Sequence, residues 1–177
     1  MNPRSATETA GAISAAPTAG ERAASGMQAY RAANPTPPIR RIAKKLAAMF
    51  VGNLPGAGMR LRVYRWLGVE LGGDNFISRE CYLDPFFPEM ITLGRGVWLA
   101  PRVIIQCHNE KSDLLKPVVF EDNSWVGAGA IIGPGVTVGR GAVIAAGAVV
   151  FNDVPANSIV LGNPGRVVGK VPDKESK

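Results

Sequence analysis

The sequence predicts an all-β fold, a parallel β-helix in which short strands wind around a prism. The main evidence is a period of six residues, which is neither the helical period nor the alternation of a single strand. A composition with 21 Gly and 14 Pro also fits a turn-rich β architecture better than a helical bundle. A large apolar residue opens each hexad in the second half of the chain, at Phe120, Val126, Ile132, Val138, Ile144 and Val150.

The hexad register extends backward to residue 71. It fits Leu93, Leu99 and Ile105, and more loosely Leu71, Ile77 and Leu83. We expect the first residue of each hexad and the small fifth residue to point into the prism. If three hexads close one coil, the twelve hexads make about four coils, and the core forms only when coils stack.

Two short helices are predicted ahead of the β-helix, over residues 36–70. Thr36 is the expected N-cap of the first, with Pro37 at the first helical position. One face of this helix is apolar, with Ile39, Ile42, Ala43, Leu46, Ala47 and Phe50. The second helix, "MRLRVYRWLG", ends at Gly68. The pair either packs as a cap over the end of the prism or docks on a membrane or a lipid-linked substrate.

The remaining segments and the charge set further expectations. Residues 1–35 are too poor in large apolar side chains to fold, so we expect disorder there, and residues 171–177 form a tail. The net charge is +6, and residues 37–69 contain seven Lys or Arg and no acid. Two cysteines are too few for a disulfide framework or a zinc site. With no signal peptide and no apolar run of about 18 residues, we expect a cytoplasmic protein, whose basic helices could touch the inner face of a membrane.

The stretch "QCHNEKSDLLKP" interrupts the hexads and holds the only histidine, His108. From Ile105 to Phe120 is 15 positions, which is one hexad and nine further residues. An insertion in a solenoid projects outward, and such loops commonly carry function. Histidine is the side chain that titrates near neutral pH, so His108 is the candidate general base.

The stretch "SWVGAGAIIGPGVTVGRGAVIAAGAVVFNDVPANSIVLGNPGRVV" resembles the hexapeptide-repeat acyltransferases. The resemblance covers roughly residues 71–170. Within the family, the chain is most similar to the branch of maltose, galactoside, nodulation-factor and colanic-acid-type O-acetyltransferases. It implies a left-handed parallel β-helix, a homotrimer with active sites between subunits, and acetyl-CoA as the acyl donor. The implied activity is direct acyl transfer to a hydroxyl of a sugar or polysaccharide precursor. No metal and no nucleic acid are expected.

The resemblance also suggests roles for individual residues. His108 matches the general base of the family, and Asp84 and Glu110 are candidates to bind the acceptor or to orient the imidazole. The CoA-binding candidates are Trp125, Ala128, Ala146, Arg166 and Lys170. The chain departs from the family in "ISRECYLD" and at Gly165, which leaves the acceptor open.

Several alternatives remain. They are an N-acetyltransferase acting on an amino sugar, a xenobiotic acetyltransferase and a non-catalytic β-helix scaffold. A γ-type carbonic anhydrase would need three histidines for each zinc, and each chain offers one.

Overall fold

The computed structural model describes residues 37–172, together with Met27 and Tyr30. Most of residues 1–35, where disorder is expected, and most of the tail lie outside these residues. Met27 and Tyr30 do not fit that expectation, because both are helical and pack against the core. The described chain begins with two helices, α1 (Pro38–Val51) and α2 (Ala57–Leu67), and continues as short strands. The two predicted helices are therefore present.

Helix α1 begins one residue later than predicted. Pro37 is its N-cap, with φ −52° and ψ 140°, and no side chain caps the end. The ring of Pro38 disfavours the α conformation for the residue before it, so Pro37 stays extended. Thr36, the predicted N-cap, lies outside the described residues.

Helix α2 is anchored to the first coil of strands by polar contacts. Arg60 is buried and donates from Nε to the Ile77 carbonyl at 3.0 Å and from Nη1 to the Leu54 carbonyl at 2.7 Å. The Tyr64 hydroxyl donates to the Cys81 carbonyl at 3.0 Å. These hydrogen bonds give partners to three backbone carbonyls, two of them in the first coil.

The strands are mostly two or three residues long, with bounds that follow the hexads. They are β1 (Glu70–Leu71), β2 (Phe76–Ile77), β3 (Tyr82–Leu83), β4 (Ile91–Leu93), β5 (Trp98–Leu99), β6 (Ile104–Ile105), β7 (His108–Asn109), β8 (Leu114–Leu115), β9 (Val118–Phe120), β10 (Trp125–Val126), β11 (Ile131–Ile132), β12 (Thr137–Val138), β13 (Val143–Ile144), β14 (Val149–Val150), β15 (Ser158–Leu161) and β16 (Arg166–Lys170).

Three parallel sheets form the sides of the prism. Sheet A has the order β1-β4-β9-β12, sheet B contains β2-β5-β10-β13-β15, and sheet C has the order β3-β6-β11-β14. Successive strands therefore visit sides A, B and C in turn, and three hexads close one coil, as predicted. Four coils are complete, and a fifth begins with a bridge from Val154 to Val138 and with β15.

The predicted inward positions form the core. The last residue of most strands is fully buried, as in Leu99, Phe120 and Ile144, and the fifth-position residues Ala130 and Ala142 are buried beside them. Each large aliphatic side chain removed from water stabilises the fold by about 1.5–3 kcal/mol. Leu71, in the first coil, is only half-buried.

The parallel coils end at β15. Strand β16 turns back and pairs antiparallel with β15, so the chain from residue 166 onward does not continue the winding. All five residues of β16 are exposed. The predicted β-helix boundary at residue 170 therefore includes a reversed strand.

The hexads are interrupted at two places, and both lie at the corner where side C leads to side A. One is the histidine-containing insertion after Ile105. The other follows Leu83, where ten positions lead to Leu93 and hold a 3₁₀ turn, Pro88–Met90. Since β3 pairs directly with β6, the two insertions lie next to each other on neighbouring coils.

Candidate active site

The two insertions bring Asp84 and His108 together. Asp84 follows β3 directly, and its backbone N–H donates to the Ile105 carbonyl at 3.0 Å, which continues the ladder between β3 and β6. His108 lies three residues beyond Ile105, at the start of β7. The distance from His108 Nδ1 to Asp84 Oδ2 is 2.5 Å.

The Asp84 carboxylate accepts hydrogen bonds from four donors. Oδ1 accepts from the backbone N–H groups of Phe86 at 2.9 Å and Phe87 at 3.3 Å. Oδ2 accepts from the Cys107 backbone N–H at 2.9 Å as well as from His108. Asp84 is 1% exposed, so the backbone replaces the water that such a charge needs. An acceptor molecule finds no accessible atom on Asp84, which contacts the imidazole instead.

The imidazole of His108 is fixed on two sides. Asp84 holds Nδ1, and the rings of Phe86 and Phe87 meet the imidazole edge-on, with centroids 5.4 Å and 5.3 Å away. A carboxylate at Nδ1 favours the tautomer with the proton on Nδ1, which leaves a lone pair on Nε2. The His108 side chain keeps 12% of its surface exposed. The arrangement can take a proton from a bound hydroxyl group.

Cys107, beside His108, is not suited to be a nucleophile. Its side chain is fully buried, and its Sγ lies 3.7 Å from the Met90 carbonyl oxygen. Burial, and next the charge of Asp84, raise the pKa of the Cys107 thiol well above its usual value. The reactive thiolate is therefore disfavoured.

Glu110 contacts neither ring nitrogen in the described interactions. The insertion forms a small hairpin in which β7 pairs antiparallel with β8, and Glu110 starts a 3₁₀ turn at its tip. Asn109 caps this turn by accepting from the N–H groups of Lys111 and Ser112. Glu110 is exposed. It does not orient the imidazole.

The CoA-binding candidates lie along another edge of the prism, where side B leads to side C. Ala128 and Ala146 occupy this edge on successive coils, both exposed, and the Gly147 N–H donates to the Ala128 carbonyl at 2.9 Å. Gly127, next to Ala128, is required by the stacking of the coils and not by access to a ligand. A Cβ atom there would lie against the backbone nitrogen of Ala146 in the next coil.

Arg166 lies beyond the last coil on the same edge. The Gly165 N–H donates to the Val149 carbonyl at 2.7 Å, which attaches the tail to side C. Arg166 lines an open cavity of about 190 Å³ together with Val150, Asn152, Asp153, Val154, Val160, Gly165 and Val167. Lys170 is exposed at the far end of β16. Trp125 projects from side B, 40% exposed, and pairs in register with Trp98.

One chain therefore does not bring all the predicted site residues together. The pair Asp84 and His108 occupies the edge between sides C and A, whereas Ala128, Ala146 and Arg166 follow the edge between sides B and C. Within the described residues, no three His, Cys, Asp or Glu side chains lie close enough to bind a metal ion.

The sequence interpretation missed the aromatic wall of the site. Phe86 and Phe87 contact His108, and Lys45 of α1 holds its Nζ 4.6 Å from the centroid of Phe86. The ten-position step from Leu83 to Leu93 is the signal that could have found this wall. Counting it as a second insertion would have brought "DPFFPEM" next to the histidine loop.

Comparisons with known proteins give the family. A model described as bacterial transferase hexapeptide (six repeats) matches residues 117–152. A Schizosaccharomyces pombe protein named as an acetyltransferase is 32% identical over 146 residues, which are 75% of this chain and 69% of the relative. A Dictyostelium discoideum protein with the same kind of name is 40% identical over 113 residues, and this chain spans 58% of its length.

Solved structures share the fold. A hexapeptide-repeat containing acetyltransferase from Vibrio cholerae, complexed with acetyl coenzyme A, has a TM-score of 0.62 at 24% identity. A maltose O-acetyltransferase from Clostridium difficile has a TM-score of 0.55 at 26% identity. Each match covers 75% of this chain and 87% of the other. With the repeat model and the Schizosaccharomyces relative, these likenesses show that the chain belongs to the hexapeptide-repeat acetyltransferase family.

Proposed function

We propose that this protein transfers an acetyl group from acetyl-CoA to a hydroxyl group of a sugar or polysaccharide precursor. His108 is the general base, and Asp84 holds it in the required tautomer and orientation. The observation that carries the proposal is the contact between His108 Nδ1 and the buried Asp84 carboxylate. A scaffold without activity has no need for a buried carboxylate whose fourth donor is a mostly buried imidazole.

The transfer proceeds directly between two bound substrates. The acceptor oxygen attacks the thioester carbonyl carbon while His108 Nε2 takes the hydroxyl proton. The tetrahedral intermediate then collapses and the C–S bond breaks. The departing CoA thiolate takes from Nε2 the proton that came from the acceptor, which gives free CoA and restores the base. The burial of the Cys107 thiol argues against an acyl-enzyme intermediate on the neighbouring residue.

A homotrimer is part of the proposal, because one chain holds the base and the CoA candidates on different edges. A neighbouring subunit that brings its edge between sides B and C against the edge that carries His108 would complete the site. An exposed aromatic row on side B supports subunit contact. Trp98 and Trp125 are 48% and 40% exposed, and the Phe76 ring lies 4.3 Å from Trp98.

The CoA would lie along the edge marked by Ala128 and Ala146, where small side chains leave room for the pantetheine arm. Arg166, at the end of this edge, is suited to pair with a phosphate, and Lys170 is a second cation on the same strand. Left-handed winding of the coils, as in the resembling family, belongs to the same proposal.

The sugar acceptor is supported by the likeness to the maltose O-acetyltransferase and by the aromatic wall at Phe86, 40% exposed, beside the imidazole. An aromatic ring can pack against the apolar face of a sugar while the hydroxyl groups remain free for hydrogen bonds.

The test is to incubate the protein with acetyl-CoA and a panel of sugars, glycolipids and amino sugars. Release of free CoA and the mass of the product are followed together, and light scattering gives the molar mass of the protein. We expect an alkali-labile O-acetyl product and a trimeric mass. An alkali-stable N-acetyl product would contradict O-transfer, and the absence of turnover with every acceptor would argue for a scaffold.

A further inference from the structure

Helix α1 turns its apolar face to solvent, against the ordinary arrangement of a surface helix. The α1 stripe consists of Ile39, Ile42, Leu46, Met49 and Phe50, and its members are between 53% and 80% exposed. At about 100° per residue they fall within an arc of about 100° on one side of the helix. This face therefore takes no part in the packing of the helical pair on the first coil, which α2 makes through Arg60 and Tyr64.

The opposite face of α1 makes the contacts with the protein. Val51 is buried, Ala47 and Ala48 are half-buried against the core, and Lys44 donates from Nζ to the Leu67 carbonyl at 2.8 Å. Lys44 thereby satisfies a carbonyl at the C-terminal end of α2, where a cation is favourable. Since the packed face is already occupied in this way, the α1 stripe is left uncovered by the described residues.

Helix α2 adds a second set of exposed residues of similar chemistry. Met59 and Trp66 are 49% and 55% exposed, and Arg62 and Arg65 are exposed beside them. The whole segment from residue 37 to residue 69 holds seven Lys or Arg and no acid. Long aliphatic and aromatic side chains combined with cations are typical of helices that lie in the interface of an anionic bilayer.

A second copy of the chain is a poorer occupant for this surface. A symmetric contact would bring two acid-free cationic segments against each other, and like charges repel. No helix among the described residues is long and apolar enough to cross a membrane, and α1 has 14 residues. The chemistry therefore fits a helix that lies on a bilayer.

We propose that the α1 stripe docks the protein on an anionic lipid surface, with the exposed arginines of α2 contributing charge attraction. The geometry connects this surface to the candidate site. Lys45 lies at the edge of the α1 stripe, and its Nζ lies over the Phe86 ring. The Phe86 ring in turn contacts the His108 imidazole edge-on. Docking would hold the acceptor side of the enzyme close to the lipid surface.

The experiment is co-sedimentation of the full chain with two kinds of vesicle, phosphatidylcholine alone and phosphatidylcholine mixed with phosphatidylglycerol. We expect the wild-type protein to pellet with the anionic vesicles only. The double substitution Leu46→Ser with Phe50→Ser should weaken this binding by about tenfold or more, because two large apolar side chains no longer enter the interface. The matched control is Phe151→Ser, which removes a ring that is 62% exposed elsewhere on the prism and should bind as the wild type does.

A second pair of substitutions separates charge from apolar burial. Arg62→Gln with Arg65→Gln should reduce binding to the anionic vesicles and weaken its dependence on salt. Circular dichroism checks that each variant is folded, and light scattering gives its molar mass.

Three results would overturn the proposal. The first is that the wild-type protein stays in the supernatant with both kinds of vesicle. The second is that the Leu46 and Phe50 double variant pellets like the wild type. The third is that the molar mass of this double variant differs from that of the wild type. The last would assign the α1 stripe to contacts between copies. No acetyl-CoA is present, so the outcome is independent of the proposed transferase activity.

Discussion

The substitution Asp84→Asn tests how the imidazole is held. The asparagine side chain has nearly the same shape, but one of its two oxygens becomes an NH₂ group. Asp84 accepts from two backbone N–H groups at Oδ1, and from the Cys107 N–H and His108 at Oδ2. Whichever way the amide is oriented, two of these four N–H donors face its NH₂ group, which is itself a donor.

The structure allows the size of this effect to be estimated. A buried donor left without an acceptor costs about 1–3 kcal/mol, so two cost about 2–6 kcal/mol. The imidazole can relieve one clash by moving its proton to Nε2 and accepting from the amide at Nδ1. That tautomer has no lone pair at Nε2, so the general base is lost. We therefore expect kcat to fall by about 10²–10⁴-fold with little change in the KM for acetyl-CoA.

The assay follows CoA release with a thiol reagent, and thermal unfolding is measured on the same samples. The matched control is Lys111→Gln, which removes an exposed charge from the same insertion, and it should behave as the wild type in both measurements. The account of Asp84 would be refuted if Asp84→Asn kept the wild-type kcat, or if its activity fell only in proportion to the unfolded fraction.

The remaining predictions concern coil stacking, the thiols and the donor. Gly127→Ala should lower the free energy of unfolding by about 1–3 kcal/mol, since its Cβ meets the next coil at Ala146, whereas Gly58→Ala, in open space on α2, should be neutral or stabilising in the same thermal melts. Burial raises the pKa of both cysteine thiols. Maleimide should therefore label neither cysteine at pH 8 in the native protein and both in denaturant. Rapid labelling of the native protein would contradict this. Arg166→Ala should raise the KM for acetyl-CoA by about tenfold and leave kcat similar, because it removes the proposed partner of a CoA phosphate. Arg140→Ala is the exposed control. An unchanged KM would remove Arg166 from the CoA site.

The repeated part of the fold could be predicted from sequence because its rule is local. Each hexad needs one large inward residue and a small one near the corner. The inward position of Phe120 or Ile144 can therefore be predicted from the residues of its own hexad. The pairing of β10 with β5 and β13 then follows from counting hexads. The same rule explains Gly127, which the stacking of coils requires.

The site could be predicted only in part, because insertions obey no such rule. His108 was identifiable as the single histidine of the sequence, but its partner depends on which corner each insertion occupies. The second insertion, after Leu83, determines that Asp84 rather than Glu110 meets the imidazole. Its ten-position step was visible in the sequence but was not counted as an insertion.

The orientation of α1 was beyond a pattern-based prediction. The helical period correctly placed Ile42 and Leu46 on one face, but periodicity does not say which face meets the protein. The contact made by Lys44 with the end of α2, and the burial of Val51, decide the orientation. Both depend on the tertiary packing of two helices.

The central claim is that His108 acts as the base, and the most direct test is the steady-state rate of acetyl transfer by His108→Ala. The control is Cys107→Ser, a change at the neighbouring buried residue, with acetyl-CoA binding measured by calorimetry for both variants. We predict that His108→Ala binds acetyl-CoA normally and loses about 10²–10⁴-fold in kcat, while Cys107→Ser stays active. A folded His108→Ala variant that transfers acetyl at the wild-type rate would contradict the account.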